Sequence, residues 1–568
     1  MATGLEKQTL VSMIVEPSKR APIRTTQTNG ESFTASGAGT TTTTVANGVL
    51  THATNDGYVG LIMRCVGATN TQNIGIDVEI LAFDAATDTL THTALPAATA
   101  LGDQFVLWLP PDPVVVEAVG GAATVDGSSA SKDTDRTEAD DYWIGDNLVV
   151  RIADNLNAGD HRAVTDFVNA TGAFTHTAFG ANLAVGDLLY LRRFPKWWGT
   201  PSVTWGYEDI PHESQRGNFS IDQTVKGGKT WSVDCALPLK ASGTAAGNGV
   251  LATPNPELDR ILGSVFTELA VTGEAITGGT TSVPEITDGT MAQFPVGSMV
   301  MDSAGRCAMV IDRVADGVNP DEIHVRPVLD RTPIAAETLY AMATYTQRVT
   351  GHLTATFDVW KGGVVNCRMY GGLPTVRLEG LGRNQVPRLL FGYRGNMWVQ
   401  ASYALPTSYL RPSFDTVRPF SAGESLAIIA AAQGTTNTRL IVENASIDFG
   451  FEIVQEDSYS LPDAVYGGRI VMGSPVITAT LKLDTASPNN TWAELQRAAG
   501  GQTFTMLLQH GRRVGHTVAF CGYKCQWLSP VQAVADNLSK IDMTCRVLAS
   551  DATDSSTGDR VPDWALGC

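Results

Sequence analysis

The feature that most limits how this chain can fold is an internal repeat with a constant spacing of 84 residues. The segment Leu90–Ala94 recurs as Phe174–Ala178, and the two share Thr-His-Thr-Ala. The segment Ala100–Asp103 recurs as Ala184–Asp187, and an apolar run follows each copy. A Gly-Asp pair before an apolar run is typical of a turn that leads into a strand. The repeat therefore predicts that a small β domain occurs twice in the first third of the chain.

We assign these two copies, which we expect to be small and barrel-like, to residues 36–112 and 113–196. The polar residues 1–35 are expected to form an N-terminal arm, since they lack apolar periodicity. Short strand-like runs such as Met309–Ile311 predict one further β module, inserted at residues 268–345.

A long alternating pattern marks the start of a second kind of domain. In Trp231–Leu239, apolar residues alternate with polar or small ones over nine positions, as expected of a strand with one buried face. Residues Phe219–Gln223 alternate in the same way, and Lys226–Lys229 (Lys-Gly-Gly-Lys) lies between the two runs. The pattern predicts a β-hairpin with its turn at Lys226–Lys229.

A loop and a helix are predicted to follow this hairpin. The segment Ala241–Val250 is made mostly of Gly, Ala and other small residues, which favours a loop. Asn255 and Pro256 form a typical helix start, because Asn caps free N–H groups and Pro fits the first helical position. Apolar residues at helical spacing in Leu258–Phe266 then predict an amphipathic helix that packs on a sheet.

The same order of elements is predicted again near the C-terminus. Ile447–Ile453 and Ile477–Leu483 alternate like strands. Thr491 and Glu494 have the spacing of a helix capping box, and Gly500 is placed to end that helix. Strand, strand, loop, helix and strands therefore occur twice in one chain.

Composition and charge narrow the possible functions. Apolar residues make up 43% of the 568, and the 56 Gly and 27 Pro suit short strands joined by turns, so a mainly β fold is expected. The formal net charge of −18 argues against tight binding to phosphate backbones. It remains compatible with a protein that lets DNA pass without holding it, because like charges repel.

The cysteines and the apolar runs indicate where the protein is made and whether it contains a membrane segment. The eight Cys are thinly scattered, and we interpret them as reduced core residues of a protein made in the cytosol. No basic start followed by an apolar run indicates a signal peptide. No apolar run approaches the ~20 residues that span a bilayer, so no membrane segment is expected.

Several histidines and cysteines are candidates for metal binding or catalysis, but their surroundings in the sequence favour structural roles. His92 and His176 invite a metal interpretation, but each lies in a Thr-His-Thr strand without an acidic or cysteine partner at ligand spacing. Cys521 and Cys525 form a single pair, which is weak support for zinc. His212 has acidic neighbours, as many solvated loops do. The chain also lacks the phosphate-loop, serine-nucleophile and zinc-protease motifs, so we expect no catalytic residue, metal or cofactor.

Two regions of this chain resemble the tube domains of tail tube proteins from long-tailed bacteriophages. The resemblance covers residues 201–270 joined to 346–400, and then residues 415–550. It is one of pattern and order, carried by the segments Trp231–Leu239, Ala241–Gly247, Asn255–Phe266, Val349–Phe357, Ile447–Glu452, Val476–Leu483 and Trp492–Leu495.

This resemblance implies a β-sandwich with one helix in each domain. We assign the first tube domain to residues 197–267 plus 346–405 and the second to residues 406–550. Residues 551–568 are expected to form a solvated C-terminal tail. The small β modules are departures from the family pattern, and we expect them on the outside of an assembly.

The function implied by the resemblance is that of a structural virion protein without catalysis. Such proteins self-assemble into stacked rings that form a hollow conduit for ejecting viral DNA into the host. Two tube domains per chain imply a trimeric ring with pseudo-sixfold symmetry, with a hexamer as the alternative. The expected partners are other copies, other tail proteins and DNA that passes without specific binding. The expected location is the viral tail, after synthesis in the host cytoplasm.

Contacts between successive rings are expected at two loops. Their residues are Lys226, Gly227, Gly228, Lys229, Ala241, Ser242, Gly243, Thr244, Ala245, Ala246 and Gly247. Two alternatives to the tube stay open at this point. One is a baseplate or adhesin component whose β modules bind host surface glycans, and the other is an enzyme that cleaves glycans or peptides on a β scaffold.

Overall fold

The fold is taken from a computed structural model of the chain. It describes residues 9–15, 32–46, 50, 58, 61–74, 76–108, 113–115, 129–132, 143–144, 146–152, 161–183, 188–210, 225–241, 245–252, 258–315, 320–329, 331–361, 365–382, 385–401, 426–431, 437–440, 442–455, 468–482, 488–528, 531–535 and 538–568.

The described elements comprise thirty-eight strands and two α-helices. The first strands are β1 (Thr9–Val15), β2 (Ser32–Thr34), β3 (Thr43–Val45), β4 (Ile62–Gly67), β5 (Asp77–Asp84), β6 (Thr89–His92), β7 (Gln104–Trp108), β8 (Pro113–Val115), β9 (Ala130–Lys132), β10 (Asn147–Ile152), β11 (His161–Val168), β12 (Ala173–His176) and β13 (Leu188–Arg192). Next come β14 (Ser202–Ile210), β15 (Val225–Pro238), α1 (Asp259–Val265), β16 (Thr267–Leu269), β17 (Glu274–Gly279), β18 (Pro284–Ile286), β19 (Met299–Met301), β20 (Cys307–Val314), β21 (Asp321–Arg326), β22 (Thr338–Ala341), β23 (Thr344–Thr346), β24 (Ala355–Lys361), β25 (Val365–Glu379), β26 (Arg388–Gly395) and β27 (Met397–Ala401). The last are β28 (Leu426–Ala431), β29 (Asn437–Leu440), β30 (Val442–Asp448), β31 (Phe451–Gln455), β32 (Gly468–Met472), β33 (Val476–Lys482), α2 (Pro488–Ala499), β34 (Thr503–His510), β35 (Val518–Trp527), β36 (Val531–Ala535), β37 (Leu538–Val547) and β38 (Trp564–Gly567).

The protein is mainly β, as the composition and the alternating patterns predict. Strands account for 54% and helices for 5% of the residues that the structure describes. One sheet of eighteen strands forms the body, three smaller units of six strands each are attached to it, and β31 and β32 form a separate two-stranded sheet. Neither helix of the described chain is long and apolar enough to cross a membrane.

The two N-terminal six-stranded units have the same topology. Their strand orders are β2-β7-β4-β5-β6-β3 and β8-β13-β10-β11-β12-β9, so corresponding strands occupy corresponding places. Each has its own buried core, with Phe83 and Phe105 in the first and Phe167 and Phe174 in the second. The interpretation of the 84-residue repeat as a duplicated β domain is confirmed.

The inserted unit is a third copy of the same fold. Its strands close into a barrel in the order β17-β18-β21-β20-β19-β22, which is the same circular order as in the first two units. All three copies also carry a β-bulge at the same place in the fourth strand, at Leu81, Thr165 and Ile311. The sequence predicted only a further β module here, because few side chains are shared while the backbone pairing is retained.

A turn before the last strand shows how closely the copies agree. In the first copy, Ala35 N–H donates to Asp103 O over 2.7 Å, and Gly102 N–H donates back to Ala35 O over 2.9 Å. In the third copy, Ile276 N–H donates to Glu337 O over 2.7 Å, as Ala35 N–H does to Asp103 O. Ala336 takes the place of Gly102. Gly102 and Ala336 both have positive φ, of 92° and 72°. The predicted Gly-Asp turn is confirmed in the first copy, where the Asp103 carboxylate accepts from Ala100 N–H at 2.9 Å.

The core of the body joins both halves of the chain. Residues from α1, such as Leu262, pack in one cluster with Val233 of β15, Ile477 of β33 and Trp564 of β38. The apolar face of Leu258–Phe266 is thus buried against a sheet, as predicted, with Leu262 and Phe266 fully buried. The predicted helix start at Asn255 and Pro256 lies outside the described residues.

One local prediction on the main sheet is wrong. Lys226–Lys229 is not a turn, because β15 runs through it and pairs with β14, with Tyr207 opposite Lys229 and Asp209 opposite Lys226. The extra residue on β15 makes a bulge at the Gly pair, where the missing side chains allow the backbone to deviate. The predicted strand Phe219–Gln223 lies outside the described residues.

The second helix begins earlier than the predicted capping box. It starts at Pro488, so Thr491 lies inside it. Glu494 is buried instead, where its carboxylate accepts a hydrogen bond from Trp527 Nε1 at 2.8 Å and lies 3.3 Å from Arg497 Nε. The helix ends at Ala499, and Gly500 follows it as predicted, with its N–H bonded to Gln496 O at 2.9 Å.

Both chain ends contribute to the body. Part of the expected N-terminal arm, Thr9–Val15, forms β1 and pairs along its whole length with β24. The first two six-stranded units, called the first and second barrels below after the closed third unit, are therefore inserted between β1 and β14. The expected solvated tail is wrong, because β38 pairs with β23 and β35, and Trp564 is fully buried. The acidic run before it is anchored as well, since Asp554 forms a buried ion pair with Arg313 at 3.0 Å.

Candidate assembly surface

The large sheet contains two four-stranded segments with the same topology. The first has the spatial order β14-β15-β26-β25, and the second has the order β30-β33-β37-β36. If strands are numbered along the chain within each segment, both orders read first, second, fourth, third. Each segment also has its helix, α1 or α2, between its second and third strands. The twofold plan indicated by the sequence is thus present in the strand order.

These two segments join edge to edge inside one chain. The third strand of the first segment, β25, pairs antiparallel with the first strand of the second, β30. The paired residues are Arg377 with Asp448 and Leu378 with Ile447, close to the C-terminal ends of both strands. The result is a continuous antiparallel sheet of eight strands.

The two outer edges of this eight-stranded sheet are complementary. In the described part of the chain, β14 pairs with no strand other than β15, and β36 with none other than β37. The open edge at β14 is the first strand of its segment, and the open edge at β36 is the third strand of its segment. A third strand and a first strand already pair at the internal junction, as β25 and β30. Unpaired edges of this kind expose backbone N–H and C=O groups and are templates for pairing with another chain.

The structure places the first predicted inter-ring loop within the body. Lys229 Nζ forms an ion pair with Asp77 of the first barrel and donates to Trp398 O at 3.1 Å. Its ammonium also lies 5.1 Å from the centre of the Trp398 ring. Burial lowers the pKa of Lys229, against the effect of Asp77. Lys229 therefore holds the first barrel against the sheet, and Lys226, Gly227 and Gly228 belong to the same strand.

The second predicted loop is partly buried. Ala241 and Ala246 are 1% and 3% exposed, and Ala246 forms an isolated bridge with Ala341 of the third barrel. Ala245 is exposed and Gly247 is half-buried. Ser242, Gly243 and Thr244 lie outside the described residues. Of the described candidates in this loop, Ala241 and Ala246 are thus packed, and Ala245 is accessible.

A buried ion cluster, which the sequence did not reveal, fixes the barrels to the body. The Asp358 carboxylate lies between Arg192 of the second barrel and Arg368 of β25, with Arg368 Nε at 2.7 Å. Tyr190 lies beneath Arg368, 4.0 Å from ring centre to guanidinium carbon, and donates to Glu79 of the first barrel. Arg192 and the adjacent Arg193 are both buried.

A second ion cluster repeats this arrangement nearby. Asp146 of the second barrel accepts from Arg193 Nε at 2.7 Å and from Arg260 of α1. The Arg260 guanidinium also lies 5.3 Å from the centre of the Trp143 ring. Arg193 and Arg260 are separated in sequence, and only the packing of the barrel on α1 brings them to one carboxylate.

The histidines have structural partners. His92 Nε2 is 2.9 Å from Thr44 Oγ1, and its Nδ1 is 2.8 Å from Thr93 O. The third barrel has Val325 at this position, since Val325 N–H bonds to Ser282 O as His92 N–H bonds to Thr42 O. Burial lowers the pKa of His92. Because valine occupies the same position in the third barrel, we infer that the imidazole of His92 fills the core of its unit.

Metal and redox chemistry find little support among the described residues. They contain no group of three or more His, Cys, Asp or Glu placed to hold a metal ion. All eight cysteines are buried and free. Burial raises the pKa of Cys521 far above its usual range, which disfavours the thiolate that binds zinc. His212 lies outside the described residues.

Comparisons with known proteins add no relative. A scan of the sequence against models of protein families finds no match, and no functionally described protein is significantly similar to it.

Proposed function

We propose that this protein is a tail tube protein that assembles into stacked rings and forms the conduit for viral DNA ejection. The observation that carries the proposal is the internal junction between β25 and β30. The same chain offers one free edge of each type, so a second copy can repeat the junction with β14 against β36. Contacts of this head-to-tail kind close into rings when the rotation between copies closes.

Ring closure has a physical benefit for a protein with these edges. An open eight-stranded sheet leaves two edges exposed to aggregation, whereas a closed barrel leaves none. Each chain supplies two equivalent four-stranded segments, so three chains form a ring with six such segments. We propose this trimer, and six chains would be the larger alternative.

Assembly is the first test of the proposal. Purified full-length protein is expected to form rings or stacked tubes in negative-stain electron micrographs, with more assembly at higher concentration. The measurement is the fraction of protein in rings or tubes, supported by sedimentation. Monodisperse monomers at high concentration, even with a tail-tip nucleator added, would contradict the tube and favour the adhesin alternative.

Cysteine cross-linking tests the edge pairing itself. If β36 of one copy pairs with β14 of another in the way that β25 pairs with β30, Ala533 lies opposite Ile210, as Arg377 lies opposite Asp448. The double variant Ala533→Cys/Ile210→Cys is therefore expected to form a disulfide-linked ladder on mild oxidation, resolved by non-reducing gel electrophoresis. All eight native cysteines are buried, so they do not compete in the folded protein.

A matched pair controls for random collision. Ala533→Cys combined with Ser202→Cys uses the opposite end of β14 and is expected to give no ladder. Equal cross-linking of both double variants would show that β36 and β14 do not meet in the proposed register.

A further inference from the structure

We propose that the solvent-facing side of the eight-stranded sheet is a channel lining in which carboxylates neutralise the arginines, so that duplex DNA slides past. This inference rests on the proposed function, because the sheet lines a channel only in a ring. It concerns the residues Asp234, Glu379, Asp448, Arg377, Arg388 and Arg394.

The two sides of the sheet differ in what covers them. On β15, Trp231, Val233 and Leu237 point into the core shared with α1. The alternate residues Thr230 and Asp234 are exposed. Because helices and further strands cover the first side, closing the sheet into a ring leaves the second side to face the channel.

Charged residues on this open side form a ladder across neighbouring strands. Arg394 Nη1 of β26 lies 2.8 Å from Asp234 Oδ1 of β15. Arg388 Nη2 of β26 lies 3.3 Å from Glu379 Oε2 of β25. These two pairs lie within the first four-stranded segment.

The ladder continues across the internal junction. Arg377 Nη2 of β25 lies 3.2 Å from Asp448 Oδ2 of β30, and Arg377 Nη1 lies 3.6 Å from Glu379 Oε1. Serine and threonine occupy many of the positions between, such as Thr375 and Ser446. Each of the three arginines thus has a carboxylate on its own or an adjacent strand.

This arrangement matters because an unpaired arginine binds phosphate strongly. A guanidinium donates two parallel hydrogen bonds to a phosphate, and every phosphate contact adds a salt-dependent gain in affinity. A stack of rings would multiply that gain along the duplex. A neighbouring carboxylate occupies the guanidinium and repels the phosphate, so no single contact holds the DNA.

The ladder also changes the expectation, made from the sequence, of how DNA passes through the channel. The net charge of −18 suggested that repulsion by a negative interior lets DNA pass. On this face of the first segment and at the internal junction, Arg377, Arg388 and Arg394 are each paired with a carboxylate. Local neutralisation of these three arginines therefore acts beside the overall excess of negative charge.

Removing the carboxylates is expected to turn the face into a DNA-binding surface. The variant Asp234→Asn/Glu379→Gln/Asp448→Asn of the full chain is compared with wild type for binding to a fluorescent DNA duplex by anisotropy, at concentrations where sedimentation shows no assembly. We expect no binding by wild type. With three arginines freed, we expect affinity to fall about 40-fold between 50 and 200 mM salt.

Two controls make the result specific. Asp84→Asn/Asp288→Asn/Glu322→Gln removes the same charge from exposed or half-buried barrel sites and is expected to bind no DNA. Adding Arg377→Gln, Arg388→Gln and Arg394→Gln to the first variant is expected to abolish its binding. Equal binding by the first variant and the barrel control, or none by either, would overturn the inference.

Failure of this inference can be told apart from failure of the proposed function. Tube formation is read from micrographs of wild type, and DNA binding from dispersed variants. Tubes without a gain in DNA binding would overturn the ladder alone. A gain in DNA binding without tubes would support the paired arginines and contradict the conduit.

Discussion

Replacing Asp358 with alanine is expected to lower the free energy of unfolding by about 3–5 kcal/mol. The Asp358 carboxylate and the side chains of Arg192 and Arg368 are all at least 96% buried. Removing the carboxylate leaves two buried guanidinium groups without the charge that compensates them. The measurement is chemical denaturation of dispersed protein, followed by intrinsic fluorescence. We expect the second barrel to loosen first, since Arg192 belongs to it.

An exposed pair provides the control for Asp358→Ala. Asp551 lies 2.8 Å from Lys524 but is 76% exposed, so Asp551→Ala is expected to leave stability nearly unchanged. If both alanine variants unfold at the same denaturant concentration, the buried cluster does not hold the barrel to the body.

The same cluster predicts a dependence on pH. Burial raises the pKa of Asp358, but Arg192 and Arg368 outweigh it and hold the pKa at about 2. A folded-state pKa below the unfolded value of about 3.9 means that the ionised carboxylate stabilises the fold above that value. This contribution is expected to be lost as the pH falls from about 4 through about 2. In Asp358→Ala, stability should depend less on pH across this window than in wild type.

Replacing Trp564 with alanine is expected to cost about 3–5 kcal/mol, because the core around it cannot collapse to fill the space. The indole is fully buried and contacts three aromatic rings, with ring centres 5.1 Å from Phe266, 5.0 Å from Phe449 and 5.9 Å from Phe520. These partners come from the end of α1, from the segment after β30 and from β35. One side chain near the C-terminus therefore links both halves of the body.

A tryptophan at the surface is the matched control. Trp198 is 48% exposed, so Trp198→Ala is expected to cost much less. Trp564→Phe keeps most of the packing volume and is expected to fall between the two. The measurement is again chemical denaturation, with near-ultraviolet circular dichroism to report aromatic packing. Equal costs for Trp564→Ala and Trp198→Ala would mean that the C-terminal strand is not part of the cooperative core.

Much of the fold was predictable because it depends on neighbours in sequence. Alternation in Trp231–Leu239 predicted a strand with one buried face, and Val233 and Leu237 are fully buried. The constant spacing of Thr-His-Thr-Ala predicted the duplicated domain, and the two units share one strand order. The period of apolar residues and the identity of turn residues are local properties, so the chain displays them directly.

The candidate site was less predictable, because a free edge is defined by what does not pair with it. The Gly-Gly pair after Lys226 looks like a turn from its composition, and it becomes a bulge only because β14 lies beside it. Lys229 carries no sequence signal for its partner Asp77, which is 152 residues away. Of the residues expected to contact another ring, Lys229 therefore holds a barrel.

The chain ends show the same division most clearly. Alone, the acidic run Asp551–Asp559 has the composition of a solvated tail. Asp554 is nevertheless buried, because Arg313 lies 241 residues earlier in sequence and within 3.0 Å in space. Sequence patterns were sufficient for strand periodicity, turn chemistry and the twofold plan, which depend on residues close along the chain. Which edges stay open and which charges are buried depends on contacts between distant segments, and only the tertiary structure decides those.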